Sequence, residues 1–150
     1  PRRITFVSTK RKDDITFEGY RFKYVRLKPR RFFGYTKKGE EFSFLIADEE
    51  KAIIDSLFLP KYAGGIDEVL KALKRAIDEI EKEKLIDYAI DMKNKSLSAR
   101  LGFMLKQMDK KGKKLKHNLP ESPVKLDPSK EREGDIDQEW KVYINMDLEG

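Results

Sequence analysis

Two glycines and a proline divide the middle of the chain, and they constrain its fold more than any other feature. Asp48 is a typical helix N-cap, and the two glutamates after it place negative charge in the first turn, where the helix dipole favours it. Pro60 excludes the residue before it from the α conformation, so this helix ends there. Gly64 and Gly65 permit a turn with positive φ. The sequence predicts a hairpin of two amphipathic helices, whose apolar faces are Ile53, Ile54, Leu57 and Phe58 in the first and Ile66, Val69, Leu70, Leu73, Ile77 and Ile80 in the second.

The segment before this hairpin has the alternation of half-buried strands. Strands are predicted at residues 4–8, 15–17, 20–27 and 42–46, with a tight turn at Glu18 and Gly19 and a polar turn at 36–40. Because the strands precede the helices instead of alternating with them, we predict an α+β fold with an antiparallel sheet covered on one side. The aromatic residues of these strands are expected in the core, with nucleic-acid stacking as the alternative; they are Tyr20, Phe22, Tyr24 and Phe42.

The rest of the chain predicts two more helices and a return to the sheet. One helix covers residues 85–92 and ends near Asn94, and Ser96 starts the next, which runs to about Asp109. Gly102, inside that helix, indicates close approach by a neighbouring element. A last strand at 140–144 is expected to rejoin the N-terminal sheet. The chain is then one domain, residues 1–150, with strands in 1–47, about four helices in 48–109, a basic loop in 110–118, and a proline-rich return with the final strand in 119–150.

Composition narrows the classes of function. The 150 residues contain no cysteine, which excludes disulfides and thiolate metal sites, and charged residues make up 40%. Abundant Lys, Glu and Arg with few Asn and Gln are typical of a cytoplasmic protein from a thermophile. No segment is apolar enough to predict a membrane span. Lys and Arg outnumber Asp and Glu by 13 to 5 in residues 1–47 and by 8 to 1 in 95–118, whereas acids lead by 12 to 8 in 48–94 and by 9 to 4 in 119–150.

These alternating blocks predict a polyanionic partner for one surface and leave an acidic surface for another role. Lys and Arg in loops and at strand ends can reach phosphates, although a basic run can also be ordinary solvated surface. No helix-turn-helix or zinc-finger pattern is visible, so we expect contacts to the DNA backbone with little sequence specificity. The candidate DNA-backbone contacts are Arg2, Arg3, Lys10, Arg11, Lys12, Lys28, Arg30, Arg31, Lys110, Lys111, Lys113 and Lys114.

An enzyme is the competing class of protein. Glu49 and Lys51 follow a predicted strand, and Glu40 and Glu41 lie upstream, which is similar to the acidic and Glu-x-Lys pattern with which some nucleases bind Mg²⁺. In that pattern the Glu-x-Lys lies on a strand, whereas here it opens a predicted helix. We therefore expect no catalytic residues, no metal and no cofactor, and keep a metal-dependent nuclease as the alternative.

Several segments together resemble a known family. They are residues 31–34, 48–55 with Leu57, Phe58, Pro60, Tyr62, Gly64 and Gly65, residues 100–105, residues 126–128, and residues 140–142 with Asn145. In this order they resemble the C-terminal domain of AbiEi-like transcriptional regulators, the antitoxins of type IV toxin–antitoxin systems, without the N-terminal winged helix. The resemblance implies a non-catalytic module that assists DNA binding and acts against a nucleotidyltransferase toxin. The oligomeric state is not predicted.

Overall fold

The N-terminal region forms two small sheets in the computed structural model, which describes residues 2–39 and 44–149. Side chains of residues 2–4, 17, 22 and 44 lie outside that description, as does the predicted strand start at Phe42. The first sheet has strands β1 (Arg2–Ser8), β2 (Ile15–Phe17) and β3 (Tyr20–Arg26) in the order β1-β3-β2, and the second pairs β4 (Tyr35–Lys38) with β5 (Phe44–Ala47).

The strand directions differ in part from the prediction. The tight turn is confirmed, with positive φ at both Glu18 and Gly19, and it makes β2 and β3 antiparallel. β1, however, runs parallel to β3, with Ser8 opposite Arg26. The chain crosses the end of β3 in residues 9–14 to reach β2, so β3 lies between two strands that precede it. Residues 35–38, predicted within or beside a turn, form β4 instead.

Four α-helices follow within the described residues. They are α1 (Glu49–Phe58), α2 (Ile66–Ala76), α3 (Lys82–Asp91) and α4 (Lys95–Gln107). The predicted N-cap of α1 is confirmed, because Asp48 accepts a hydrogen bond from the backbone N–H of Lys51 at 2.8 Å. The start of α4 was predicted at Ser96, one residue after its actual first residue, Lys95. Lys93 takes the left-handed conformation, and Asn94, not Ser96, caps α4 by accepting from the N–H of Leu97.

The hydrophobic core lies among the helices and the C-terminal segment. Both predicted helical faces contribute to it, and α4 contributes most, from Leu97 to Leu105. The N-terminal strands do not belong to this cluster in the described part of the chain. Tyr20 is 38% exposed and Tyr24 is half-buried with its ring stacked on Phe6 at 5.3 Å, so the predicted core position is wrong for these two residues. The side chains of Phe22 and Phe42, for which the same position was predicted, lie outside the described residues.

The final strand does not rejoin the N-terminal sheet. β8 (Val142–Tyr143) pairs instead with β6 (Val124–Lys125) in parallel and β7 (Ile136–Asp137) in antiparallel orientation. The reason is the Trp140 side chain, which packs directly on the backbone of α4 at Gly102 and holds this segment against the helices. The close approach predicted at Gly102 is confirmed. The architecture is α+β, with three small sheets around a helical core.

Among the described residues, no helix has both the length and the apolar content needed to cross a lipid bilayer.

Candidate functional site

A buried polar cluster surrounds Lys51 in the first turn of α1. The side chain of Lys51 has no exposure to solvent. Its Nζ donates to the carbonyl of Arg31 at 2.6 Å and to Asp55 Oδ1 at 2.8 Å, and it lies 3.3 Å from the sulfur of Met92 and 4.0 Å from the ring centroid of Phe33. The ammonium is therefore fully partnered, by an ion pair one turn along its own helix and by a cation–π contact.

Burial determines the protonation behaviour of this cluster. It lowers the pKa of Lys51, and the neighbouring Asp55 opposes that shift only in part. Tyr35 donates its hydroxyl to Asp55 Oδ2 at 2.5 Å, and burial together with this carboxylate raises the pKa of Tyr35 far above its ordinary value. Tyr35 thus remains a hydrogen-bond donor at any physiological pH.

A second acid, Asp48, connects α1 to α3. Its Oδ2 accepts from the hydroxyl of Tyr88 at 2.6 Å and lies 3.3 Å from Nζ of Lys84, which also reaches Glu50 at 3.3 Å. Burial raises the pKa of Asp48, but the hydrogen bonds from Tyr88, from the backbone of Lys51 and from Lys84 outweigh it, so its pKa lies below the ordinary value. The hydrogen bonds that Lys84 donates to Asp48 and Glu50 in turn raise the pKa of Lys84.

The residues of the nuclease alternative have other roles in this arrangement. Glu49 and Lys51 lie on a helix, not on a strand; Glu49 is exposed, whereas the ammonium of Lys51 is buried and fully bonded. Glu40 and Glu41 lie outside the described residues. In the described ranges, no group of three or more Asp, Glu or His side chains is arranged to hold a metal ion. The geometry therefore favours a structural role for Lys51, which clamps residues 28–34 onto the helices.

A second polar cluster organises the C-terminal segment. Asn145 is 6% exposed, accepts from the N–H of Asp127 at 2.8 Å, and donates to the carbonyls of Asp127 and Glu131 at 2.9 Å each. Arg100 donates its Nε to the carbonyl of Lys125 at 2.8 Å. The segments that carry the family resemblance thus converge on two structural clusters, one at Lys51 and one at Asn145.

Several predicted DNA contacts come together at one end of the first sheet. Because β1 and β3 are parallel, the loop after Ser8 and the chain after Arg26 leave the sheet at the same end, joined by a hydrogen bond from the Leu27 N–H to the Ser8 carbonyl at 2.7 Å. The six cations here are exposed, and in the described part of the chain none of them forms an ion pair. We call this the basic end: Lys10, Arg11, Lys12, Arg26, Lys28 and Arg30.

The acids near the basic end compensate only a small part of its positive charge. Asp14, in the same loop, lies 3.4 Å from Nζ of Lys23 and 3.7 Å from the guanidinium of Arg21, so its charge is already compensated. The N–H of Tyr24 also donates to Asp14 at 3.1 Å and is the largest reason for the lowered pKa of that carboxyl. Asp13 remains as one opposing charge.

Other predicted contacts are used inside the molecule. Arg31 donates its Nε to the carbonyl of Met92 at 2.9 Å, and its guanidinium packs 4.7 Å from the ring centroid of Phe58. We therefore do not include Arg31 in the interface. The side chains of Arg2 and Arg3 lie outside the described residues, although their backbone opens β1.

The basic segment at 110–118 is a partly paired helical turn, not an open loop. Residues Lys113–Asn118 form a 3-10 helix anchored by the fully buried Leu115. Lys110 lies 3.1 Å from Asp78 and Lys114 lies 2.9 Å from Asp87, whereas Lys111 and Lys113 are exposed without an ion pair among the described residues. Half of the predicted contacts in this block are therefore already paired with acids, one on α3 and one in the turn between α2 and α3.

Comparisons of the chain with protein-family models, with curated proteins and with solved structures find no match. The similarity to AbiEi-like regulators therefore stays a prediction.

Sequence reasoning missed the Lys51 cluster because a lysine in a first helical turn is usually solvated. The available signal was the Lys51–Asp55 spacing of four, with aromatic residues at 32, 33 and 35 upstream. It also missed Arg26 as part of the basic end, because its proximity to residues 10–12 follows from a parallel pairing that the local pattern does not predict.

Proposed function

We propose that the protein is a cytoplasmic, DNA-associated regulatory module that contacts the phosphate backbone through the basic end. One observation carries this proposal: the parallel register of β1 and β3 brings two separate basic segments, residues 10–12 and 28–30, to the same end of a sheet. These cations are exposed and form no ion pair in the described part of the chain, although Lys12 lies 5.6 Å from the ring centroid of Tyr24, so they can exchange counterions for phosphates. The contacts carry no base information, so binding is expected to be weak, about 10⁻⁴–10⁻⁶ M at physiological salt.

The resemblance to antitoxins implies a second contact, with a nucleotidyltransferase toxin. Support comes from the acids on α1, α2 and α3 and in the turn between α2 and α3, which outnumber Lys and Arg by 12 to 8 in residues 48–94. Two of them, Asp78 and Asp87, are paired with Lys110 and Lys114. The exposed ones are Glu49, Asp67, Glu68, Asp78, Glu79, Glu81, Glu83, Asp87 and Asp91. Such a surface suits a basic protein partner. Co-elution of the purified chain with a nucleotidyltransferase encoded in the same operon would support this half of the proposal, and separate elution would contradict it.

Charge neutralisation tests the DNA half of the proposal. Lys10, Arg11 and Lys12 are replaced together by Gln, and duplex DNA is titrated by fluorescence anisotropy at several salt concentrations. If all three contact phosphates, the slope of log K against log salt becomes shallower by up to about 2.7, since each contact contributes about 0.9. Affinity falls about equally for unrelated sequences.

The matched control neutralises the other basic segment. Lys110, Lys111, Lys113 and Lys114 are replaced by Gln, which removes four charges of the same kind, two of them already paired with Asp78 and Asp87. A smaller change in slope than in the first variant is expected. An unchanged slope in the first variant would mean that the basic end only contributes to solubility.

A further inference from the structure

A cleft lies directly beside the basic end. Its volume is about 460 Å³, within the range of sites that bury small organic molecules. Its lining includes the second half of β1, from Thr5 to Val7, and Leu45 and Ala47 of β5. Val7 immediately precedes Ser8, where the basic end begins, so the two features are continuous along β1.

Aromatic rings dominate the lining of this cleft. Phe6, Phe32, Tyr35 and Tyr62 all contribute, and Phe32 stacks on Tyr35 with centroids 4.5 Å apart. Phe32 lies two residues after Arg30, the last cation of the basic segment 28–30, so it connects the cations to the rings in the sequence.

Lysines also approach the cleft itself. Nζ of Lys23 lies 5.4 Å from the ring centroid of Tyr62, and Nζ of Lys61 lies 5.0 Å from it. The one carboxylate in the lining, Asp55, is compensated by Lys51 at 2.8 Å and by the hydroxyl of Tyr35. Lys23 is itself paired with Asp14 at 3.4 Å, whereas Lys61 forms no ion pair in the described part of the chain. The cleft therefore combines aromatic surface with one uncompensated lysine, the combination by which proteins hold single-stranded nucleic acid.

We propose that this cleft accepts one unstacked base of a nucleic-acid strand whose neighbouring phosphates lie on the basic end. The inference rests on the DNA binding proposed above and deepens it from duplex backbone to a strand with an unpaired base. Both oxygens of Asp55 are already bonded, so the cleft offers stacking and few fixed polar contacts for reading base identity. Recognition is thus tolerant of sequence.

Three DNA probes of equal duplex length distinguish the contribution of the bases to affinity from that of the phosphates. The first is a blunt duplex, the second carries an overhang of four thymidines, and the third carries an overhang of four abasic residues, which adds the same phosphates without bases. We expect the thymidine overhang to bind about 5-fold or more tightly than the abasic one, the lower end of what stacking one base gives. The abasic overhang is expected to bind more tightly than the blunt duplex only because of its added phosphate charge.

Tyr62→Ala removes one ring of the cleft and is expected to abolish the difference between thymidine and abasic overhangs while it preserves blunt-duplex binding. Tyr20→Ala is the matched control, because Tyr20 lies at the opposite end of β3 and does not line the cleft. If Tyr62→Ala does not fold, Ser56→Leu narrows the cleft from α1 and is expected to have the same effect.

Two failures are distinguishable. Blunt-duplex binding without any gain from the thymidine overhang would overturn the base-binding inference alone, and would leave the cleft between the edge strands β1 and β5 to an extended peptide. No binding of any probe at low salt would overturn both this inference and the proposed DNA binding.

Discussion

Replacing Lys51 by Met tests the structural role of the buried cluster. Met is similar in length and apolar, so the change removes the charge and the hydrogen bonds while it keeps most of the volume. Asp55 loses its ion-pair partner and the carbonyl of Arg31 loses its donor, although Tyr35 still donates to Asp55. Breaking one side of a buried pair typically costs 3–5 kcal/mol; because Asp55 is 13% exposed and keeps one donor, we expect a loss of about 3 kcal/mol.

Urea unfolding followed by circular dichroism measures this loss as a change in the free energy of unfolding. Lys71→Met is the matched control, because Lys71 also pairs with an acid on its own helix, Glu68 at 3.4 Å, but both side chains are about half exposed. That control is expected to cost less than about 0.5 kcal/mol. The double variant Lys51→Met/Asp55→Leu removes the uncompensated carboxylate and is expected to recover part of the loss. A loss below about 1 kcal/mol for Lys51→Met would refute the reasoning.

The remaining predictions concern packing and pH. Gly102→Ala is expected to lower the free energy of unfolding by about 1–3 kcal/mol, because the added Cβ meets the Trp140 ring, whereas Gly112→Ala meets only the ends of two leucine side chains at 3.2 Å and is tolerated; equal thermal unfolding midpoints would contradict this. Burial raises the pKa of Asp48, but the hydrogen bonds to it hold that pKa below its ordinary value. Asp48 therefore stabilises the fold at pH values above the ordinary carboxyl pKa, and the stabilisation disappears as the pH falls through the lowered pKa. Urea unfolding between pH 5 and pH 2 is therefore expected to show a steeper decline in wild type than in Asp48→Asn, and parallel curves would contradict it.

The helical part of the fold could be predicted because its signals are local. Asp48 caps the first turn, Pro60 restricts the residue before it, and Gly64 permits a positive φ. The apolar faces repeat at the period of the helix, so α1 and α2 follow from residues close in sequence. The caps were harder to assign. Lys93 takes the left-handed position expected at Asn94, and Asn94 takes the capping role expected at Ser96, since Asn can form either a left-handed residue or an N-cap.

The sheets could not be predicted because strand pairing depends on distant contacts. Nothing in the alternation of β1 and β3 encodes that they run parallel, and the last strand had no local signal against joining them. The deciding contact for that strand is the Trp140 ring on Gly102, 38 positions apart in the numbering. The candidate site shares this limit, because the basic end exists only through the parallel pairing, while five of its six cations were predicted as DNA contacts and Arg26 was not.

An NMR titration of the isotope-labelled chain with duplex DNA at low salt tests the proposed DNA contact most directly. Changes in backbone amide shifts locate the surface that meets the phosphates. The basic end predicts the largest changes at residues 9–14 and 26–31, with smaller ones at 110–116 and little at the exposed acids of α2 and α3. Changes confined to the helices, or no change at DNA concentrations up to the millimolar range, would contradict the assignment of the basic end to DNA.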